Sequence, residues 1–274
     1  MDLPRPLRFK IFGRFGLGLL ICVGLGLQAL PVDAKCAYRN TRVWPGAGSI
    51  PTNPVFMIQG FGADQEWVRG LKACDLKLVS TAGESVCLLG VVGYEGEFHL
   101  RQVLLQPVRE LTPGATYRLQ WPESLDKAAT QWLEYEPGPA PLGKRTWTVD
   151  RDADLVAPQW QRPAEVTGTE HVGLGCGPRI QATVLVDARD DVSDQDMLAK
   201  VTLRAAGTSE RRQYLVPFSE GHLYVGHGMC SGAFRLEEGR AYEAQVELLD
   251  GAGNLSEPSD VLRFTMTRAP RSSL

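Results

Sequence analysis

Hydrophobic residues alternate with polar ones in short runs along most of this chain, and that period is typical of half-buried β-strands. The first half carries such runs at residues 55–58, 76–79, 86–92, 98–105, 116–121 and 144–149. The second half carries them at residues 180–186, 201–205, 213–217, 222–225, 233–236, 242–249 and 261–267. Helical periodicity is scarce, and only residues 123–133 could hold a short helix. Short strands at this spacing predict an all-β fold made of sandwiches rather than a barrel.

Two segments poor in hydrophobic alternation divide the chain. Residues 136–143 read EPGPAPLG and cannot form regular structure, because proline fixes φ and removes a backbone donor. Residues 150–158 read as a linker, and GAG at residues 251–253 marks a turn between the last two strands. The predicted organisation is a first β-sandwich at 35–149, a linker at 150–158, a second β-sandwich at 159–267 and a frayed tail at 268–274.

The pattern L-x-x-G-x-x-Y occurs twice, at Leu111–Tyr117 and at Leu236–Tyr242. In immunoglobulin-like sandwiches a tyrosine at this place opens a strand, and its hydroxyl hydrogen-bonds to backbone a few residues upstream in a tyrosine corner. The leucine would end the preceding strand and the glycine would permit the turn. Two copies, each followed by a strand-like run, indicate an internal duplication. We therefore expect Tyr117 and Tyr242 to be buried and bonded to local backbone.

Three segments carry a resemblance to a known family. Residues 45–54, PGAGSIPTNP, followed by the run VFMI, resemble the opening of bacterial immunoglobulin-like domains of the surface-layer type. Residues 111–119 are similar to the corner before strand F in those domains and in fibronectin type III modules. Residues 250–254, DGAGN, resemble a turn common in bacterial immunoglobulin-like repeats. The resemblance implies two tandem immunoglobulin-like β-sandwiches in an exported module that binds, spaces or scaffolds, and it implies no chemistry.

Residues 1–34 have the three parts of a secretory signal peptide. A basic region is followed by an apolar run at residues 16–30 and by the small-residue cleavage signal VDA at 32–34. An uncleaved membrane anchor is the alternative, but the run is short for a spanning helix, which needs about 20 residues. Nothing after the signal resembles a membrane span. We expect cleavage before Lys35 and export to the periplasm, the cell surface or the extracellular space.

The charge of the chain excludes one class of partner. The net charge is −3, and removal of the signal peptide leaves about −5 by the same formal count. A mildly acidic protein without a lysine or arginine block has no electrostatic footprint for nucleic acid. We expect another envelope protein or a polysaccharide as the partner.

Five cysteines follow the signal peptide, and disulfides are the expected state after export. Cys176 and Cys230 form the simplest pair in the second half. Cys74 and Cys87 are the preferred pair in the first half because they close a short loop across a chain reversal. Cys36 is left over, either free or in place of one partner, since spacing does not determine connectivity.

Metal ions offer further interpretations. Asp150, Asp152 and Asp154 alternate in the linker and could hold calcium on one side of an extended segment, although a solvated linker is the simpler reading. A second acidic loop, which is open to the same two interpretations, contains Asp187, Asp190, Asp191, Asp194 and Asp196. Zinc is the alternative to the second disulfide, with the ligands His171, Cys176, His227 and Cys230.

No catalytic motif is present, so we expect no enzymatic activity and no cofactor other than structural calcium. Trp121, Trp132 and Tyr135 lie near the Pro-rich insertion, where they would either stack on sugar rings, anchor a protein partner or be buried. The sequence predicts a non-enzymatic binding, spacer or scaffold protein of the cell envelope or cell surface. The alternative is an accessory or hydrolytic protein that acts on envelope polysaccharide.

Overall fold

Inward and outward positions alternate along the strands, as the sequence pattern predicts. In the strand Thr146–Arg151, Trp147 and Val149 are fully buried, while the residues beside them are exposed. A computed structural model describes residues 40–122, 144–174, 177–192, 197–230 and 232–267. Within these ranges strands dominate, and the one helix has two turns. The expected signal peptide at 1–34, the segment at 123–133 that could hold a short helix and the tail at 268–274 lie outside the described residues.

The first half forms two sheet layers around a buried core. Its strands are β1 (Asn40–Trp44), β2 (Gly48–Pro51), β3 (Phe56–Phe61), β4 (Lys77–Ser80), β5 (Ser85–Gly96), β6 (Leu100–Pro107), β7 (Thr116–Gln120) and β8 (Thr146–Arg151). Their order is β1-β3-β6-β5-β4-β7-β8-β2, with a parallel pair at β2–β8 and antiparallel pairs elsewhere. The long strand β5 changes register between Gly90 and Val92 and takes part in both layers. Phe56, Tyr117 and Trp147 belong to the core between them.

The helix α1 (Asp64–Gly70) lies between β3 and β4 and is absent from the predicted elements. Two turns are too short to show an apolar period in the sequence. The helix is stabilised by acidic residues in its first turn and by Arg69 in its last, since these charges oppose those of the helix dipole. Asp64 is buried and accepts a hydrogen bond from the Thr41 hydroxyl at 3.0 Å. Gly60 permits close packing of α1, since a Cβ there would lie 2.5 Å from the Asp64 carbonyl oxygen. Within the described ranges no helix is long and apolar enough to cross a membrane.

The second half also has two facing sheets. Its strands are β9 (Gln159–Trp160), β10 (Glu165–Leu174), β11 (Gly177–Leu185), β12 (Ala188–Arg189), β13 (Leu198–Ala205), β14 (Arg212–Pro217), β15 (His222–His227), β16 (Ala241–Leu249) and β17 (Leu262–Thr265). One sheet has the order β10-β11-β15, the other has the order β14-β13-β16-β17, and β9 pairs with β12. The core between the sheets includes Val184, Val201, Phe234 and Val246.

The second half differs from the prediction at residues 233–236, at β10 and at the two-residue strands β9 and β12, which were not predicted. Residues 233–236 are not a strand, because their backbone groups bond to two separate partners instead of one ladder. Phe234 donates its N–H to the Gly226 carbonyl, whereas the Ala233 carbonyl accepts from the N–H of Glu97. Conversely, the pattern missed β10, whose sequence EVTGTEHVGL is largely polar because the strand lies at the edge of its sheet.

The two halves pack directly against each other, and all the described residues belong to one compact unit. A third buried cluster contains Val55, Met57 and Leu104 from the first half and Leu198, Leu215 and Leu249 from the second. The turn after β5 adds contacts, since the N–H of Glu97 bonds to the Ala233 carbonyl at 3.0 Å. At the same turn the ring of Phe98 lies 4.6 Å from the ring of His227. The halves therefore meet through a buried interface as well as through the linker.

Candidate functional site

The three linker carboxylates that the sequence suggests as calcium ligands do not come together. Asp150 is half-exposed and accepts a hydrogen bond from the Ser49 hydroxyl, and Asp152 is exposed. Asp154 is 5% exposed and points into the protein. The reason is that β8 ends at Arg151, so the extended geometry that would align all three side chains does not continue.

Asp154 lies instead in a cluster with Asp190, from the acidic loop after β12, and Asp250, from the turn after β16. One carboxylate oxygen of each lies within 4.8 Å of the others, and all three residues are buried. We call Asp154, Asp190 and Asp250 the junction carboxylates. The N–H of Val156 donates to Asp154 at 3.0 Å, and the N–H of Val192 donates to Asp190 at 3.2 Å. Local backbone therefore fixes the direction of these two carboxylates.

Burial and the charge of a neighbouring carboxylate oppose ionisation of Asp154 and Asp250. Burial raises the pKa of Asp250 to about 6, and the charge of Asp154 adds to the increase, while hydrogen bonds from the Asn254 side chain and from backbone N–H groups act against it. Burial likewise raises the pKa of Asp154, and the charge of Asp190 adds to that increase. A hard cation between the three oxygens would remove this repulsion, and oxygen ligands are those that calcium prefers. The chemistry of the cluster therefore suits calcium.

Asparagine side chains from both halves hold the linker at this cluster. Asn53 donates to the Asp154 carbonyl at 2.7 Å and accepts from the Asp154 N–H at 2.9 Å. Asn254 donates to the same carbonyl at 3.3 Å. The N–H of Val55 bonds to the Gly251 carbonyl at 2.8 Å, so the turn after β16 contacts the first half. The junction carboxylates therefore lie where the two halves and the linker meet.

The repeated tyrosines have the same hydrogen-bond arrangement. Tyr117 is fully buried, and its hydroxyl accepts from the Thr112 N–H at 3.2 Å and donates to Glu84 at 2.5 Å. Tyr242 is 4% exposed, and its hydroxyl accepts from the Glu237 N–H at 2.8 Å. In each case the donor lies five residues upstream. The glycines of both turns have positive φ.

The cysteine prediction is confirmed in the first half, where Cys74 and Cys87 form a disulfide with a Cα–Cα distance of 4.6 Å. Cys230 is also disulfide-bonded. Cys176, its predicted partner, and Cys36 lie outside the described residues. A thiol that is oxidised in a disulfide cannot bind zinc as a thiolate, so the arrangement of Cys230 contradicts the zinc alternative.

The predicted aromatic surface falls only partly within the described residues. Trp121 packs edge-to-face against Trp67 of α1, with ring centroids 5.7 Å apart. The indole N–H of each ring is buried and makes no hydrogen bond to any described residue. Trp132 and Tyr135 lie outside the described residues. Trp67 was not predicted from the sequence, because its position beside Trp121 depends on the unpredicted helix α1.

A groove also runs between the two halves and encloses about 230 Å³. We call it the junction groove. One wall is formed by β1 and β3, with Arg42 and Gln59, and the other is formed by β14 and β15, with Tyr214 and Tyr224. Sequence reasoning did not find these four residues, because each lies in an ordinary strand pattern.

No protein-family model matches this chain, and no curated protein matches it. Among solved structures it is similar to the chicken CNTN1 FN1–FN3 domains, with 13% identity, a TM-score of 0.25, and coverage of 81% of this chain and 66% of that one. It is also similar to pullulanase from Anoxybacillus sp. LM18-11 in complex with maltotriose, with 12% identity, a TM-score of 0.21, and coverage of 73% and 23%. The chain thus spans less than two thirds of the first structure and about a quarter of the second. Likeness at these scores carries no argument about function.

Proposed function

We propose that this chain is an exported, non-enzymatic spacer and binding protein built from two tandem immunoglobulin-like sandwiches. The strand order of the second half supports the proposal. The second half has a three-stranded sheet β10-β11-β15 opposite β14-β13-β16-β17. If β10, β11, β13, β14, β15, β16 and β17 are lettered A, B, C, C′, E, F and G, these sheets follow the A-B-E and C′-C-F-G arrangement of such domains. The proposed boundaries remain 35–149 and 159–267, with residues 150–158 between them.

One observation carries the spacer role, namely the buried amide of Gln102 at the interface of the halves. Its nitrogen donates to the Leu215 carbonyl at 2.8 Å, and its oxygen accepts from the Leu215 N–H at 3.1 Å. Gln102 is fully buried, and its hydrogen-bond partner Leu215 belongs to the apolar cluster at the interface. A polar group buried in this way is satisfied only when the halves keep one relative position, so the contact selects a single arrangement.

The described histidine rings contact amide, carbonyl and carboxylate groups. Among the described residues, no histidine ring nitrogen is hydrogen-bonded to a hydroxyl or thiol that it could activate as a nucleophile. His99 contacts the Gln65 side chain, whereas His222 and His227 contact the backbone carbonyls of Glu220 and Gly228. The remaining histidine, His171, lies 3.8 Å from a carboxylate of Glu238.

Export is supported by the disulfide and by the leader sequence. The Cys74–Cys87 disulfide and a β-sandwich are both typical of extracellular or exported proteins. A cleaved signal peptide at 1–34 would deliver the chain to the periplasm, the cell surface or the extracellular space, where an envelope protein or a polysaccharide would be its partner.

The second candidate is an accessory or hydrolytic role on envelope polysaccharide. The pair Trp67–Trp121 favours it, since two indole rings whose N–H donors have no partner among the described residues could bind a ligand rich in hydroxyl acceptors. This reading requires the rings to become accessible to the ligand.

Small-angle X-ray scattering of the exported chain tests the spacer role. We expect one compact shape that does not change between low and high salt, because the interface is mainly apolar. A broad distribution of separations between the halves would contradict the proposal. Incubation with envelope polysaccharides, followed by chromatography of the products, tests the second candidate, and cleavage would replace the first.

A further inference from the structure

The junction groove carries a single charge. Of the described residues that line it, Arg42 is the only charged one, and none is acidic. Arg42 is exposed while Thr41 and Val43 beside it in β1 are buried, so its side chain leaves the sheet on the outer face. Within the described ranges its guanidinium makes no salt bridge. An unpaired guanidinium in a protein of net charge −3 favours an anionic ligand at this place.

Further donors surround this charge. The Gln59 side-chain oxygen accepts from Gln102 at 2.9 Å and from the Tyr214 hydroxyl at 3.3 Å. These two bonds fix the amide of Gln59 with its oxygen turned to the protein, and its nitrogen makes no bond within the described residues. Gln59 therefore offers N–H donors to the groove from a held position.

An aromatic ring completes the site. Tyr224 of β15 is 51% exposed, while Leu223 and Val225 on either side are fully buried, so the ring stands on the outer face of the sheet at the groove. Its hydroxyl has no hydrogen-bond partner among the described residues. An accessible flat ring beside polar donors suits a ligand with one apolar face and several hydroxyl groups.

We propose that the junction groove binds a hexuronic acid residue of an acidic polysaccharide. The carboxylate pairs with Arg42, whose planar fork matches two carboxylate oxygens. The sugar ring stacks on Tyr224, and its hydroxyl groups accept hydrogen bonds from Gln59. A volume of about 230 Å³ suits one sugar ring, with its neighbours along the polymer outside the groove. This inference rests on the proposed non-enzymatic binding role.

Isothermal titration of the full exported chain tests the site, with a galacturonic acid tetramer as the probe and a chelator present. The matched ligand is the same tetramer after reduction of its carboxyl groups. We expect the acidic tetramer to bind the wild-type protein about tenfold more tightly than the neutral one. Arg42→Gln should abolish this preference, and Tyr224→Ala should weaken both ligands. Arg118→Gln, an exposed arginine on β7 outside the groove, is the control and should change neither.

Several outcomes would overturn the inference. They are the absence of binding to the wild-type protein, equal binding of the two tetramers, and an Arg42→Gln variant that keeps the preference. A pentaglutamate peptide that binds as tightly as the acidic tetramer, and depends equally on Arg42, would assign the groove to an acidic protein segment instead. Chromatography of the tetramer after titration separates the two proposals. Cleavage of the tetramer would contradict the non-enzymatic role but not the binding site. A failure to bind would contradict the binding site, and the spacer role would still be tested by the scattering measurement.

Discussion

The side chain of Gln102 forms both backbone hydrogen bonds of Leu215, a residue in the other half of the chain. An amide can do this because its donor and acceptor have the spacing of a peptide group. Leu215 itself is fully buried, so its backbone groups have no access to water in place of Gln102. One polar side chain therefore satisfies the backbone of the opposite half at the centre of an apolar interface.

The first prediction is that Gln102→Met lowers the free energy of unfolding by about 2–3 kcal/mol, because the Leu215 N–H and carbonyl lose their partners. Methionine keeps the volume and removes both polar groups. Denaturant unfolding of the wild-type protein and the variant measures the change. Gln106→Met, an exposed position on the same strand, is the control and should cost less than about 0.5 kcal/mol. Equal stability of the wild-type protein and Gln102→Met would show that the amide bridge does not hold the halves.

The second prediction concerns the paired tyrosine turns. Tyr242→Phe should cost about 1–2 kcal/mol, because the Glu237 N–H loses its acceptor. Tyr117→Phe should cost more at neutral pH, since Glu84 also loses the donor that Tyr117 provides. Tyr224→Phe removes a hydroxyl from a half-exposed ring and serves as the control. Thermal unfolding of the three variants gives the ranking, and a Tyr242→Phe variant as stable as the control would contradict this role.

The third prediction is a pH dependence at Glu84. Hydrogen bonds from Tyr117 and Arg109 hold the pKa of Glu84 below its usual value. A carboxyl with a lowered folded-state pKa stabilises the fold above its unfolded pKa of about 4.3 and loses that contribution as the pH falls through the folded value. Glu84→Gln should therefore be less stable than the wild-type protein at pH 7 and approach it in acid.

Chemical denaturation at several pH values measures this difference, and high salt should reduce it because Glu84 is partly exposed. Glu110→Gln, a nearby exposed carboxyl without an ion pair among the described residues, is the matched control. A gap between Glu84→Gln and the wild-type protein that stays constant down to acid pH would contradict the assignment.

The fourth prediction concerns calcium and the junction carboxylates. About 10 mM free calcium should stabilise the fold by about 1.5–2.5 kcal/mol, if its affinity is that of other extracellular modules. Asp190→Asn should abolish this response, whereas Asp152→Asn should keep it, because Asp152 lies outside the cluster. Calorimetric scans with calcium and with chelator give the comparison. Because Asp190→Asn also removes a repulsive charge, the readout is the calcium response of each variant and not its stability alone.

If calcium leaves the wild-type melting temperature unchanged, the cluster does not bind it. If Asp152→Asn abolishes the stabilisation by calcium, the calcium site includes the exposed linker carboxylates that the sequence suggested.

Features that depend on residues close together in the chain could be predicted from the amino-acid sequence alone. Alternation located most of the strands, because a strand with one buried face must place hydrophobic residues at every second position. The repeated glycine and tyrosine marked two turns, since both hydrogen bonds close within five residues. Two nearby cysteines on a hairpin gave the disulfide Cys74–Cys87. The pattern failed at α1, at β10 and at the short strands β1, β2, β9 and β12, where the element is too short or too exposed to show its period.

Contacts between residues far apart in the chain could not be predicted in this way, because they depend on how the strands and the two halves pack. Asp154, Asp190 and Asp250 come from three separate segments, whereas alternation along the linker grouped Asp154 with Asp150 and Asp152. Gln102 and Arg42 look like ordinary strand residues, yet one is buried at the interface and the other faces a groove. The alternation along a strand predicts on which face of the sheet a side chain lies. The residues that pack against that face are determined by how the two halves meet, and this depends on all the contacts of the interface together.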